Sequence, residues 1–96
     1  MNTACNAQGF TLSEKQTGVI ESKLKRIAYA EDLIVDLKII VKHEQEYDIE
    51  ATANFKWGVQ AHVSGKDEDF TAAVNKMMDV LDNKVKKEKD KVQEKK

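Results

Sequence analysis

Lysine is the residue whose number and spacing here could do chemistry, and that chemistry is the binding of a polyanion. Residues 84–96 hold 7 Lys against 3 acids, whereas residues 1–83 hold 9 Lys and Arg against 14 acids. The overall charge of −1 hides this segregation, which matters more than the sum when the partner is highly charged. Projected onto a helix at about 100° per residue, Lys76, Lys84, Lys87 and Lys91 share a quadrant on one flank of an apolar stripe. Lys86 and Lys89 fall on the opposite flank, and Asp79, Asp82 and Asp90 lie away from the denser basic side. In an earlier stretch Lys15, Lys23 and Arg26 share one flank and Lys25 takes the other. If two such helices pack side by side, the flanks are expected to meet as one basic groove matching a phosphate backbone. Each neutralised phosphate releases counterions, so binding there is strongly salt-dependent. Solvated Lys/Glu-rich helix ends produce the same composition.

Other chemistry is poorly supplied. His43 and His62 are the only histidines. HEQEY at His43 begins like a zinc-protease motif but lacks the second histidine, and His62 reads as a surface residue or an RNA contact. Asp67, Glu68 and Asp69 lack the spacing and glycine of a calcium loop and read as helix-capping acids. Cys5 has no histidine or lysine near it in sequence to lower its pKa. With no glycine-rich phosphate loop either, the expectation is a chain that is not an enzyme and has no metal, cofactor or small-molecule substrate.

The elements that must position the lysines follow from periodicity. Ser13 and Gln16 form a capping box, opening a helix to about Tyr29 with Val19, Ile20, Leu24, Ile27 and Ala28 as its stripe. Gly18 inside it suggests a close approach by another element. Residues 33–42 alternate, with Leu33, Val35, Leu37, Ile39 and Val41 on one face. Residues 47–57 alternate again from Tyr47 to Trp57, Gly58 turns the chain, and Val59, Ala61 and Val63 line a third strand that Gly65 ends. Short connections imply antiparallel hairpins. Asp67 or Asp69 caps a second helix with the stripe Phe70, Val74, Met77, Met78, Leu81, Val85 and Val92. Residues 1–8 have no strong period and read as coil or an edge strand. The order (β)αβββα predicts an α+β fold, a sheet with both helices on one face and a polar opposite face.

The 96 residues fit one domain, 1–96, with about 93–96 as a frayed basic helix end. The chain is 41% hydrophobic and 34% charged, too apolar for disorder. No apolar run approaches the ~20 residues of a bilayer span, and MNTACNAQGF is no signal peptide. One cysteine suits a reducing compartment. These point to a cytoplasmic protein without a membrane partner.

Three stretches resemble the short form of the hibernation-promoting factor and ribosome-associated inhibitor family, the sigma-54 modulation-like proteins. LSEKQTGVIESKLKRI looks like the family's first helix, VSGKDEDFTAAV like its strand–Asp–helix junction, and KVKKEKDKV like its basic helix end. The resemblance covers essentially the whole chain. It implies a β-α-β-β-β-α fold, a four-stranded sheet with both helices packed on one face, and residues 1–8 as the first strand. It implies binding of the small ribosomal subunit, its rRNA and whole ribosomes in the channel used by mRNA and tRNA. Translation would be blocked there under stress or in stationary phase. Matching positions give Lys23, Arg26, Lys87, Lys89 and Lys91 as rRNA-binding residues, with Lys84 and Lys76 added by the projection. Departures are Thr71 for the family's tyrosine, Asn75 for its aspartate, Asn83 and Lys84 for a basic/Gln pair, and a less apolar first strand. The chain lacks the long form's C-terminal domain, which implies either that pairing of ribosomes would need a second factor or that the protein simply inactivates single ribosomes. Two rival readings are a general double-stranded RNA-binding or RNA-chaperone module and a protein-docking domain.

Overall fold

A computed structural model of the chain describes the backbone of residues 2–94 and the side chains of residues 2–91. Its elements are β1 (Asn2–Gln8), α1 (Glu14–Leu24), a 3₁₀-helical stretch (Lys25–Leu33), β2 (Ile34–His43), β3 (Tyr47–Phe55), β4 (Gln60–Asp67) and α2 (Phe70–Glu94). The sheet order is β1-β2-β3-β4, with β1 parallel to β2 and the other pairs antiparallel. Both helices cover one face, and the core lies between them and the sheet. The expected α+β, β-α-β-β-β-α architecture is therefore the observed one. β1 is an edge strand; its weak period reflects one-sided, partial burial, with Cys5 and Ala7 half-buried and Asn2, Ala4, Asn6 and Gln8 exposed.

The first helix is shorter than its apolar pattern suggests. Ser13 caps it as expected: its Oγ accepts from the Gln16 amide at 3.1 Å, and Gln16 Oε1 accepts from the Ser13 amide at 3.1 Å. The α-helical hydrogen bonds stop at Leu24, and Ile27 leaves helical geometry at φ −107°, ψ 15°. The reason lies in the burial spacing. Leu24, Ile27 and Ala30 are buried and Leu33 half-buried, every third residue, which suits three residues per turn better than 3.6. Ala28, assigned to the stripe from sequence, is exposed.

β2 carries a second difference. The register slips between Ile34 and Asp36, so Ile34 is buried and Val35 is 48% exposed, opposite to the simple alternation. A bulge adds one residue to one strand and inverts the faces before it. β3 ends at Phe55, and Trp57 sits in the following turn, stacked on Phe55 with ring centroids 5.1 Å apart. Gly58 adopts φ +85° there, as its turn role requires. Val59 is exposed rather than inward. β4 continues to Asp67, past Gly65, which pairs with Ile49.

The close approach expected at Gly18 occurs at Gly65 instead. Nothing lies within 4 Å of a β-carbon built on Gly18, whereas one on Gly65 would stand 2.7 Å from the Ala73 carbonyl oxygen and hard against the Met77 amide nitrogen. Glycine lets α2 lie backbone-to-backbone on β4, and this sets the height of the whole lysine-bearing helix. Asp67 and Asp69 both serve the junction: Asp67 Oδ1 accepts from the Asp69 amide at 2.9 Å, and Asp69 Oδ2 from the Ala72 amide at 2.9 Å. Phe70, Val74, Met77, Met78, Leu81 and Val85 are buried as their period predicts, joined by Ala73. The Val92 side chain lies outside the described residues. α2 runs to Glu94; the rest of the expected frayed end, 95–96, also lies outside them.

Candidate nucleic-acid interface

Among the described side chains Val85 is the last buried one of α2, and the helix runs nine residues further, roughly 13 Å at 1.5 Å per residue. The molecule is accordingly long in one direction, 46 × 21 × 20 Å. The first part of this arm is tied down. Trp57 Nε1 donates to Glu88 Oε1 at 3.4 Å, and Lys91 Nζ lies 3.2 Å from Glu88 Oε2.

The two flanks of α2 face different neighbours. Lys76 turns to β4, its Nζ 2.9 Å from Asp67 Oδ2 and donating to the Lys66 carbonyl at 3.2 Å. Lys84, Lys87 and Lys91 continue this side at helical spacing, around the exposed Val80. Lys84 and Lys87 are exposed, and among the described residues no acid lies within 4.0 Å of either. The other flank faces α1 and the 3₁₀ stretch. There Arg26 Nη1 donates to Asp79 Oδ1 at 2.8 Å and its Nη2 lies 3.5 Å from Asp82 Oδ2. The Tyr29 hydroxyl donates to Asp82 Oδ1 at 2.6 Å, Lys86 Nζ is 3.4 Å from Asp82 Oδ2, and Lys89 Nζ stands 5.3 Å from the centre of the Tyr29 ring.

This arrangement corrects the expected single groove. The dense flank carrying Lys76 lies on the β4 side of α2, away from Arg26. What meets the first helix's extension is the sparser flank of Lys86 and Lys89, interleaved with Asp79 and Asp82. The seven expected contact residues therefore divide. Lys76, Lys84, Lys87 and Lys91 share one side; Arg26 and Lys89 share the seam; Lys23 sits half-buried in the last turn of α1 without an acidic partner among the described residues. The difference arises from packing: with the apolar stripe of α2 turned to the sheet, only the Asp79–Asp82 flank faces Arg26 and Tyr29.

Asp82 is the inner residue of the seam, hydrogen-bonded to the exposed Tyr29. The Tyr29 hydrogen bond, followed by the charges of Lys86 and Arg26, holds the Asp82 carboxyl below the usual carboxylate range despite partial burial. Burial, then the Asp82 hydrogen bond and charge, pushes the Tyr29 phenol above its usual range. The seam could not be found in the sequence, since its partners stand 53 residues apart. The Trp57–Glu88 tie, 31 residues apart, was equally hidden.

The opposite face of the sheet is polar, as expected. Asn54 Nδ2 donates to Asp36 Oδ1 at 2.6 Å, Gln60 Nε2 donates to Asn54 Oδ1 at 3.0 Å, and Thr52 Oγ1 lies 2.9 Å from His62 Nδ1. Its cross-strand rows, such as Ala4–Lys38–Thr52–His62, present no Phe, Tyr or Trp on which a base could stack. His62 is thus engaged with its neighbour on β3. Between β1 and α1 lies an open groove of about 320 Å³ floored by Cys5, Ile20 and Leu24. Burial, then the charge of Glu21, pushes the Cys5 thiol up, away from the thiolate that a nucleophile needs. Among the described residues no cluster of three metal-binding side chains exists, and no helix is long and apolar enough to cross a membrane.

Comparison with known structures places the fold. A ribosomal subunit interface protein from Coxiella burnetii superposes with a TM-score of 0.85 at 23% identity, over 93% of this chain and 98% of that one. The N-terminal domain of Protein Y from Thermus thermophilus gives 0.79 at 22% identity, over 91% and 98%. A sequence search of curated proteins returns no match. Residues 4–93 match a family model across almost the full length of the chain, and with the fold in agreement the chain belongs to the sigma 54 modulation protein / S30EA ribosomal protein family.

Proposed function

We propose that this protein is a ribosome-associated translation inhibitor, a hibernation factor of the cytoplasm. It binds the small ribosomal subunit in the channel that mRNA and tRNA occupy, and it blocks decoding sterically under stress or in stationary phase. The observation that carries this reading is the α2 arm. A helix extending past the core bears Lys76, Lys84, Lys87 and Lys91 along one side, with two of them unneutralised among the described residues. The family match over residues 4–93 supplies the ribosome as the polyanion, and the similar protein from Coxiella burnetii is named for the ribosomal subunit interface.

Lysines without base-reading partners hold phosphates by charge, so the wedge recognises rRNA mainly through its backbone shape. Such binding weakens steeply as salt rises. The polar sheet face, lacking stacking aromatics, leaves the helix side as the rRNA-facing surface. Lys23, Arg26 and Lys89 are assigned a secondary part, on the seam side of the same helix pair.

The test is sucrose-gradient cosedimentation of the purified chain with bacterial ribosomal subunits and whole ribosomes at low and raised salt. Migration with the small subunit and whole ribosomes, weakening with salt, is the expected result. Protein left at the top of the gradient at low salt would overturn the reading. Equal affinity for free duplex RNA and for ribosomes would replace it with a general double-stranded RNA-binding module.

A further inference from the structure

We infer that Asp79 is an internal competitor in the helix seam that tunes polyanion affinity: it keeps the Arg26 guanidinium neutralised until a phosphate displaces it. This rests on the proposed reading of α2 as a polyanion-binding helix and deepens it.

The geometry separates the two carboxylates around Arg26. Asp82 is the inner one, with its side chain 14% exposed and its oxygens taken by Tyr29, Arg26 and Lys86. Asp79 is the outer one, 65% exposed, and Arg26 at 2.8 Å is its one ionic partner among the described residues. Asp82 therefore orients the guanidinium from beneath, and Asp79 caps it from the solvent side. A carboxylate and a phosphate are alternative acceptors for the same guanidinium fork. An ion pair this exposed is weak in water, so an arriving phosphate can take the place of Asp79 while Asp82 goes on holding Arg26 in position.

The consequence is a lowered affinity that the partner must overcome to use Arg26. A polyanion approaching at random meets a seam in which Arg26, Lys86 and Lys89 are offset by Asp79, Asp82 and the nearby Asp90, whose charge reaches Tyr29. A nucleic acid that receives α2 in a groove, held first by the lysines on the β4 side, presents phosphates to both flanks of a helix about 10–12 Å across. Only that docked partner gains Arg26. Asp79 thus lowers affinity for every polyanion that reaches the seam, and the docked partner, which must displace it to gain Arg26, bears the full cost of the pair.

The experiment uses the full chain, a random-sequence duplex RNA and heparin as non-specific probes, and the ribosomal small subunit as the fitted one. Asp79→Asn is compared with Glu46→Gln, which makes the same change in net charge at the exposed β2–β3 turn, where Glu46 pairs with neither Arg26 nor any residue of the seam among the described residues. Asp79→Asn is expected to bind duplex RNA about two- to fivefold more tightly at 0.1 M salt, with the salt slope steeper by about one phosphate contact. It should elute later from heparin, and Glu46→Gln should shift much less. Affinity for the small subunit should rise at least as much as affinity for duplex RNA, and Arg26→Gln added to Asp79→Asn should remove the gain. Thermal melts verify folding, with Asp79→Ser as a second variant.

Equal shifts for Asp79→Asn and Glu46→Gln would reduce the effect to net charge and overturn the inference, as would an unchanged Asp79→Asn. Absence of wild-type protein from ribosomal fractions would instead overturn the proposed function, and the duplex and heparin comparison would still decide the role of Asp79.

Discussion

Gly65 of β4 lies directly against the backbone of α2, where a β-carbon would stand 2.7 Å from the carbonyl oxygen of Ala73. The strand and the helix meet there without a side chain between them. Gly65→Ala must push the helix outward or strain it, and overpacking of this kind costs about 1–3 kcal/mol. Gly18→Ala is the matched contrast, since nothing lies within 4 Å of that site and alanine in a helix interior gains up to ~1 kcal/mol over glycine. Denaturant melts of the two variants should move in opposite directions. A neutral Gly65→Ala would mean that α2 does not rest on β4 as described.

The Tyr29–Asp82 hydrogen bond predicts stability that falls away at both ends of the pH scale. Asp82 has a depressed folded pKa, so its contribution is present above the ordinary carboxylate value of about 3.9 and is lost as pH falls through the lower folded value. Tyr29 has a raised folded pKa. Its contribution is complete below the ordinary phenol value of about 10 and is lost as pH rises toward the higher folded value. Unfolding free energies measured across pH should show a plateau between these limits. Tyr29→Phe should lower the plateau by about 1 kcal/mol and flatten its alkaline edge. An alkaline edge unchanged in Tyr29→Phe would place its origin elsewhere.

Ser13 and Gln16 cap α1 reciprocally at 3.1 Å. Replacing Ser13 with alanine should cost about 1 kcal/mol of stability. Ribosome cosedimentation should be unaffected, because the cap lies away from the lysines of α2. Loss of cosedimentation in a folded Ser13→Ala variant would show that this end of α1 takes part in binding.

Lys84 and Lys87 are expected to dominate the phosphate contacts. Lys84→Gln with Lys87→Gln should reduce the salt slope of small-subunit binding by about two contacts and leave the melting temperature nearly unchanged. Lys76→Gln breaks the ties to Asp67 and Lys66, so it should weaken folding more and binding less. The opposite ranking, obtained from titrations at three salt concentrations, would move the interface toward β4.

Much of the fold was written in local pattern. Helix caps, strand alternation and the stripe of α2 all depend on residues within a turn or two of one another, so Ser13, Gln16, Gly58 and the run from Phe70 to Val85 could be read directly. Where the pattern misled, a long-range demand had overridden it. Val35 faces outward because of a bulge set by pairing with β3, and the chain after Leu24 tightens to a 3₁₀ helix because Ile27 and Ala30 must both reach the core. β1 has a weak period because an edge strand of small residues needs only its partner's hydrogen bonds.

The candidate site divides in the same way. The spacing of Lys76, Lys84, Lys87 and Lys91 along one side of a helix is a property of the sequence, because helical periodicity alone brings them together. Which side of α2 meets α1 is not, because that depends on how two apolar faces pack on one sheet. The tertiary structure therefore decided that the dense lysine flank borders β4, that Arg26 is held by Asp79 and Asp82 from 53 and 56 positions away, and that Gly65 rather than Gly18 is the point of close approach. Sequence determined which charges the protein carries and the elements that hold them; only packing determined which of those charges are already neutralised.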